Sequence, residues 1–201
     1  MVVVPTLLAP DDSVRNLTQQ LELHYLRNNQ ANLSFALLTD FADAPHQHMP
    51  EDESLALGLR TAVEALNVKY ACKAFFLFHR ERRWNASEGC WMGWERKRGK
   101  LAEFNQLLRG SAATSYAICS GDMSQLPGIS YVITLDADPV LNRDSAHALI
   151  ATLTHPLNHA QFDPQSGRVV SGYTLLQPRT EVLPASAGRS LFTKLFAGDT
   201  G

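Results

Sequence analysis

The 201-residue sequence has few cysteines, no long apolar run and no excess of basic residues. Its three cysteines (Cys72, Cys90 and Cys119) are odd in number and widely spaced, which indicates neither a disulfide framework nor a zinc ligand set and favours a reducing compartment. No apolar run reaches the length of a membrane span, and the first residues lack the basic start of a signal peptide, so we expect a soluble chain. A net charge of −2 gives no basic footprint for nucleic acid.

Several common catalytic motifs are also missing. There is no Gly-x-Ser-x-Gly nucleophile elbow, no Gly-x-Gly-x-x-Gly after the first apolar segment and no Walker loop, which disfavours a Ser-His-Asp hydrolase and the usual dinucleotide and ATP sites. Hydrophobic content of 45% and charged content of 19% are typical of a soluble globular protein. We therefore expect a single domain over residues 1–201.

Apolar segments alternate with helical patterns along the chain. The predicted strands are 2–4 (closed by Pro5), 33–38, 74–78, 131–136 and 169–176. The predicted helices start at Asp11 or Asp12, at Pro50, at Lys100 and at Asp144; the first carries the stripe Val14, Leu17, Leu21 and Tyr25, and the third ends before Gly110. This alternation predicts an α/β fold with a mostly parallel sheet covered by helices on both faces.

Two carboxylates, Asp136 and Asp138, directly follow the predicted strand 131–136. A strand that is buried on both faces tolerates charge only where it leaves the sheet. Two carboxylates there could share a hard divalent cation, Mg²⁺ or Mn²⁺, which in turn could hold a diphosphate. The alternative is a pair of aspartates that flank a turn.

Other polar residues fall at the same predicted edge. Asp40 and His79 follow the second and third strands, and the carboxyl ends of parallel strands form the ligand-binding edge of such sheets. Asp40 could accept hydrogen bonds from a base or ribose, or could simply form a turn.

A basic run from Arg96 to Lys100 precedes the predicted strand 131–136. Gly99 within it predicts a close approach of backbone amides and ammonium groups to an anion. A solvated basic surface and a nucleic-acid site are the alternatives. The three tryptophans nearby (Trp84, Trp91, Trp94) either stack on sugar rings or pack in loops. His46 and His48 lack further ligands at metal spacing and predict an exposed loop.

These motifs together resemble a known family. The order Val-Val-Pro-Thr6, Asp40, Lys97-Arg-Gly-Lys-Leu101, Asp136-Ala-Asp138 and Val-Ser-Gly-Tyr173 resembles a processive GT-A glycosyltransferase core. More narrowly, the run from Phe78 through Trp94 to Leu101, with Gly198-Asp199, resembles the glycosyltransferase domain of cyclic β-1,2-glucan synthases.

The resemblance implies a glucosyltransferase that uses UDP-glucose and a glucan acceptor to build β-1,2-glucan. Its implied donor-binding residues are Thr6, Asp40, Lys97, Gly99, Lys100 and Asp136. Its implied metal ligands are Asp136 and Asp138, with Mg²⁺ or Mn²⁺ acting as a Lewis acid on the departing UDP. A β product from an α-linked donor implies inversion and a carboxylate base, expected beyond Gly201.

The same resemblance implies a larger protein. The chain would be the N-terminal donor-binding portion of a GT-A-like domain, flanked by transmembrane and phosphorylase-like regions at the cytoplasmic face of the bacterial inner membrane. Pro139 replaces the threonine expected there. We expect the isolated chain to bind UDP without elongating glucan. Two alternatives stay open: a degenerate GT-A-like nucleotide-binding or scaffold module without catalysis, and a metal-dependent phosphotransferase or nucleotidyltransferase.

Overall fold

The computed structural model describes residues 1–9 and 13–179. The strands are β1 Val2–Leu8, β2 Phe35–Phe41, β3 Phe75–Arg80, β4 Arg83–Asn85, β5 Cys90–Met92, β6 Tyr116–Ser120, β7 Ile133–Thr134, β8 Gln161–Phe162 and β9 Val169–Ser171. The α-helices are α1 Ser13–Arg27, α2 Asp52–Lys69, α3 Arg96–Leu108 and α4 Ser145–Thr154. The chain divides into two compact units, Met1–Ala148 and a second that begins at Leu149.

A five-stranded sheet in the order β6-β3-β2-β1-β7 organises the first unit. β1, β2, β3 and β7 run parallel, and β6 runs antiparallel to β3. The ring of Tyr25 in α1 lies 4.8 Å from that of Phe75, whereas the ring of Phe104 in α3 lies 5.2 Å from that of Phe78. Phe75 and Phe78 point to opposite faces because strand side chains alternate. The prediction of a mostly parallel α/β fold with helices on both faces is confirmed.

The central strands are buried and end in polar residues. Every residue of β3 is buried, and so is every residue of β2 except Phe41. Both strands run past their predicted ends because Asp40, His79 and Arg80 find buried partners there. The α1 prediction holds for Leu17, Leu21 and Tyr25, which are buried; its proposed caps, Asp11 and Asp12, lie outside the described residues.

Pro5 does not close the first strand, as the sequence predicted, but lies inside β1. The carbonyls of Met1 and Val3 accept hydrogen bonds from the N–H groups of Ile133 in β7 and Leu135 just after it, so the odd-numbered residues of β1 face that neighbour. β7 pairs only with Val2 and Val3. The nitrogen of Pro5 therefore faces a position beyond the end of β7, where the missing N–H breaks no ladder hydrogen bond.

The strand before Asp136 is shorter and more exposed than predicted. It comprises only Ile133 and Thr134, at the edge of the sheet, and Tyr131 and Val132 are half-buried outside it. In the described part of the chain it pairs with β1 alone. A continuous apolar run can form an edge strand with one covered side, and periodicity does not separate this case from a fully buried strand.

Two other strand predictions need correction. β6 was not predicted, because it is short and bounded by serines; its burial alternates between buried Tyr116 and exposed Ala117. The predicted strand 169–176 is only Val169–Ser171, is exposed, and pairs with β8 rather than with the main sheet. Gly172, at φ +77°, leaves the extended conformation and ends it.

The basic run is helical and does not form a loop. α3 begins at Arg96, four residues earlier than predicted, so Lys97, Gly99 and Lys100 lie in its first turns. A Cβ added to Gly99 would lie 2.1 Å from the carbonyl oxygen of Trp94. Glycine at this position permits the close packing of the helix start against the preceding turn.

Candidate functional site

At the carboxyl-end edge of the sheet, the structure brings together three of the predicted site residues. The ammonium of Lys100 lies 3.1 Å from the Asp40 carboxylate and donates a hydrogen bond to the backbone carbonyl of Thr6. The side chains of Lys100 and Asp40 are almost fully buried. Burial lowers the pKa of Lys100, and the adjacent Asp40 charge partly opposes this effect.

Arg80 completes this buried group and was not predicted from the sequence. Its guanidinium binds the Asp40 carboxylate with two hydrogen bonds, of 2.7 and 2.9 Å, and its Nη1 lies 3.4 Å from the carboxylate of Glu103. Asp40 and Arg80 are register partners in neighbouring parallel strands. Opposite charges at matching strand ends were the available signal, but the predicted third strand ended at Phe78, two residues before Arg80.

Glu103 closes the network on the α3 side. Burial tends to raise the pKa of Glu103, but hydrogen bonds from the backbone N–H and hydroxyl of Ser115, at 2.9 and 2.6 Å, help to leave it below its usual value. Two carboxylates therefore balance the two cations Arg80 and Lys100. Because each charge has a close partner, the buried edge network (Asp40, Arg80, Lys100, Glu103) is compatible with burial.

Lys97 and Asp136 form a second, exposed group. Their side chains make an ion pair across the space between the start of α3 and the segment after β7. The exposed fractions are 52% for Lys97 and 62% for Asp136. Asp138 is exposed as well. The predicted donor-binding residues thus split into a buried pair (Asp40 and Lys100, joined to the half-buried Thr6) and the exposed Lys97–Asp136 pair, and Gly99 lies between Lys97 and Lys100 in the sequence.

The carboxylates Asp136 and Asp138 fit a hard divalent cation by their chemistry. Both offer exposed oxygen ligands, and a cation, the Lys97 ammonium, already lies against Asp136. Among the described residues, the one group of three ligand-type side chains close enough to share an ion is Asp43, Glu88 and Cys90. Arg96 already donates to both of its carboxylates. The metal prediction for Asp136 and Asp138 stays a prediction.

His79 lies at the same edge but faces away from Asp40. Its Nδ1 is 2.8 Å from the hydroxyl of Thr39, and its ring contacts Phe41, both on the opposite face of β2 from Asp40. Its Nε2 is buried without a hydrogen-bond partner among the described residues. Burial lowers the pKa of His79 to about 4, so the ring is neutral at pH 7.

The arrangement is that of an α/β protein of the GT-A-like kind, with a mostly parallel sheet and polar side chains at its carboxyl-end edge. Over its whole length, and across 205 aligned residues, the chain is 42% identical to cyclic β-(1,2)-glucan synthase NdvB of Rhizobium meliloti (strain 1021). It spans 7% of the length of that protein. This match confirms the predicted resemblance: the chain is related to a segment of a cyclic β-1,2-glucan synthase.

No family model matches the chain. Across the part of the chain that the structure describes, no helix combines the length and apolar character that crossing a membrane requires.

Proposed function

We propose that the chain forms the nucleotide-sugar-binding part of a glucosyltransferase that builds β-1,2-glucan from UDP-glucose. The observation that carries the proposal is the pairing of Lys97, in the first turn of α3, with Asp136 at the carboxyl-end edge of the sheet. The 42% identity to a cyclic β-(1,2)-glucan synthase supports it.

In this proposal, the buried edge network holds the start of α3 in place. Lys100 joins α3 to β1 through the Thr6 carbonyl and to β2 through Asp40. The first turn of α3 then presents backbone N–H groups and the ammonium of Lys97 to an anion, where the helix dipole also favours negative charge. A diphosphate placed there would draw Lys97 from Asp136 to its phosphate oxygens.

Asp136 and Asp138 would hold Mg²⁺ or Mn²⁺. Bound there, the ion supplies Lewis-acid neutralisation of the UDP leaving group. Release of Asp136 from Lys97 leaves its oxygens available for this role. The roles of Lys97 and Asp136 are thus linked, because donor binding breaks the ion pair between them and gives each a new partner.

The product linkage defines the remaining requirements. A β-linkage formed from an α-linked donor requires inversion, with a glucan hydroxyl deprotonated by a carboxylate on the face opposite UDP. We assign no described residue to that base, and propose that the isolated chain binds donor without elongating glucan. In the whole protein we place this domain at the cytoplasmic face of the inner membrane, beside transmembrane and phosphorylase-like regions.

Isothermal calorimetry of UDP binding, with and without Mn²⁺, tests the proposal. We expect Mn²⁺-dependent binding that is lost in Asp136→Asn and Asp138→Asn and is retained in Glu53→Gln, which removes an exposed carboxylate on α2. Lys97→Met should weaken UDP binding about tenfold, the equivalent of one charge-assisted hydrogen bond. An absence of UDP binding under every condition would favour a scaffold module, and preference for a nucleoside triphosphate would favour a nucleotidyl- or phosphotransferase.

A further inference from the structure

Two large aromatic side chains are exposed near the start of α3. Trp84 of β4 is 53% exposed and Trp94, just before α3, is 49% exposed. The third tryptophan, Trp91 of β5, packs edge-on against Trp84 with ring centroids 5.9 Å apart. Exposed tryptophans that lie close together form an apolar surface that needs an explanation, because such patches on soluble proteins commonly mark binding sites.

The two exposed indoles line a groove of about 550 Å³. Its polar lining includes Arg83, Asn85, Ser87 and Glu88 of the β4–β5 hairpin. A second cavity of about 420 Å³ is also lined by Arg83 and Trp94, and continues to Glu103, Gln106 and Thr114. Both volumes lie within the range of roughly 300–1,000 Å³ that is usual for small-ligand sites. Trp94 lines both cavities, and we name the two cavities together the indole groove.

The β4–β5 hairpin, which carries Trp84 and Trp91, is held in place by backbone and side-chain hydrogen bonds. Ala44 and Trp91 exchange two backbone hydrogen bonds, each of 2.9 Å, which tie the hairpin to the segment after β2. Arg96 joins the same two regions by donating to Asp43 and to Glu88. A surface fixed before binding loses little entropy when it captures a ligand.

The chemistry of the lining favours a neutral, hydroxyl-rich ligand with flat apolar faces. Indole rings offer broad apolar surfaces with an N–H at one edge, and the surrounding amide, hydroxyl, guanidinium and carboxylate groups can bond to hydroxyls. In the 550 Å³ cavity, the charges of Arg83 and Arg96 are matched by those of Glu88 and Glu95. A balanced lining does not favour a polyanion such as single-stranded nucleic acid, which needs a positively charged track.

We propose that the indole groove binds a β-1,2-linked gluco-oligosaccharide, with glucose rings lying on Trp84 and Trp94. The identity of the sugar rests on the proposed function, whereas the carbohydrate chemistry rests on the groove itself. Trp94 lies three residues before Lys97, so the indole groove and the Lys97–Asp136 pair meet at the start of α3. This placement puts a glucan strand beside the proposed nucleotide sugar.

Titration of the full chain with β-1,2-gluco-oligosaccharides, followed by the indole N–H signals in ¹H–¹⁵N NMR spectra, tests this inference. The chain has three tryptophans, so the indole signals can be assigned individually. We expect the signals of Trp84 and Trp94 to shift and saturate, with a smaller change at Trp91. Trp84→Ala and Trp94→Ala should each weaken binding about fivefold to tenfold, as expected for loss of one aromatic contact. Phe162→Ala, which removes an exposed aromatic ring in β8, is the matched control and should bind as the wild type does.

The outcomes separate this inference from the proposed function. Oligosaccharide binding at Trp84 and Trp94 supports the groove even if UDP does not bind, in which case the donor proposal fails alone. UDP binding without any oligosaccharide-induced shift of the two indole signals overturns the groove and leaves the donor proposal standing. Shifts of the Trp84 and Trp94 signals with UDP but not with the oligosaccharide would also overturn it, because the indoles would then stack on a base.

Discussion

The buried edge network makes a quantitative prediction for Arg80→Met. Methionine keeps much of the length of the side chain but removes the guanidinium, which donates to Asp40, to Glu103 and to the backbone carbonyl of Arg96. Removing one partner of a buried ion pair costs about 3–5 kcal/mol, because the other charge remains buried. Asp40 keeps Lys100 at 3.1 Å. We therefore expect the lower end of the range, a loss of about 3 kcal/mol in the free energy of unfolding.

The matched control is Arg60→Met in α2. Arg60 and Glu64 also form an ion pair, with a separation of 2.8 Å, but their side chains are 53% and 49% exposed. Exposed helical pairs contribute about 0.3–0.5 kcal/mol, so this change should be close to the limit of measurement. The contrast comes from burial and from the number of contacts, since Arg80 binds Asp40 with two hydrogen bonds whereas Arg60 donates one to Glu64.

Urea unfolding followed by circular dichroism measures both variants. Arg80→Met should lower the midpoint with little change in the slope, and Arg60→Met should leave the midpoint almost unchanged. A loss in Arg80→Met no larger than that in Arg60→Met would refute the reasoning, because it would mean that Asp40 and Arg80 are not mutually dependent in the folded chain.

Two further predictions concern His79 and Gly99. The pKa of buried His79 is about 4 in the folded chain against 6.5 ordinarily, so the unfolded chain binds more protons between these values and stability falls as the pH falls from 6.5 to 4. The loss in the free energy of unfolding attributable to His79 should reach about 3 kcal/mol. His79→Gln should therefore flatten the pH profile of unfolding between pH 6.5 and 4. An unchanged profile would contradict this. Gly99→Ala should destabilise the fold by about 1–3 kcal/mol, because the added Cβ meets the Trp94 carbonyl. At Gly128 an added Cβ has open space, so Gly128→Ala should be nearly neutral. Thermal melts measure both variants. Equal effects of the two substitutions would refute the packing argument.

The core of the fold could be predicted from the sequence because it depends on local apolar patterns. The continuous apolar segments of β2 and β3 indicate buried parallel strands, and the stripe of Leu17, Leu21 and Tyr25 indicates the buried face of α1. The position of a strand within the sheet is a long-range property. For this reason the segment before Asp136 was predicted as a buried strand although β7 lies at the edge, and the segment from Val169 was placed in the wrong sheet.

The candidate site was predictable in composition more than in arrangement. Asp40, Lys97 and Lys100 were singled out by charge and position, and so were Thr6 and Asp136, but Arg80 and Glu103 were not. Arg80 belongs to the buried network only because two parallel strands place it in register with Asp40. The sequence also could not show that Gly99 lies inside a helix, since glycine in a basic run is equally typical of an anion-binding loop.

Paramagnetic broadening by Mn²⁺ in the presence of UDP tests the central claim most directly. Mn²⁺ broadens the amide signals nearest to it in ¹H–¹⁵N NMR spectra, so it reports where the ion and its nucleotide bind. The account predicts UDP-dependent broadening centred on residues 136–138 and on the start of α3 at Lys97, and the loss of that broadening in Asp136→Asn. Broadening centred on Asp43, Glu88 and Cys90, or none that depends on UDP, would contradict it.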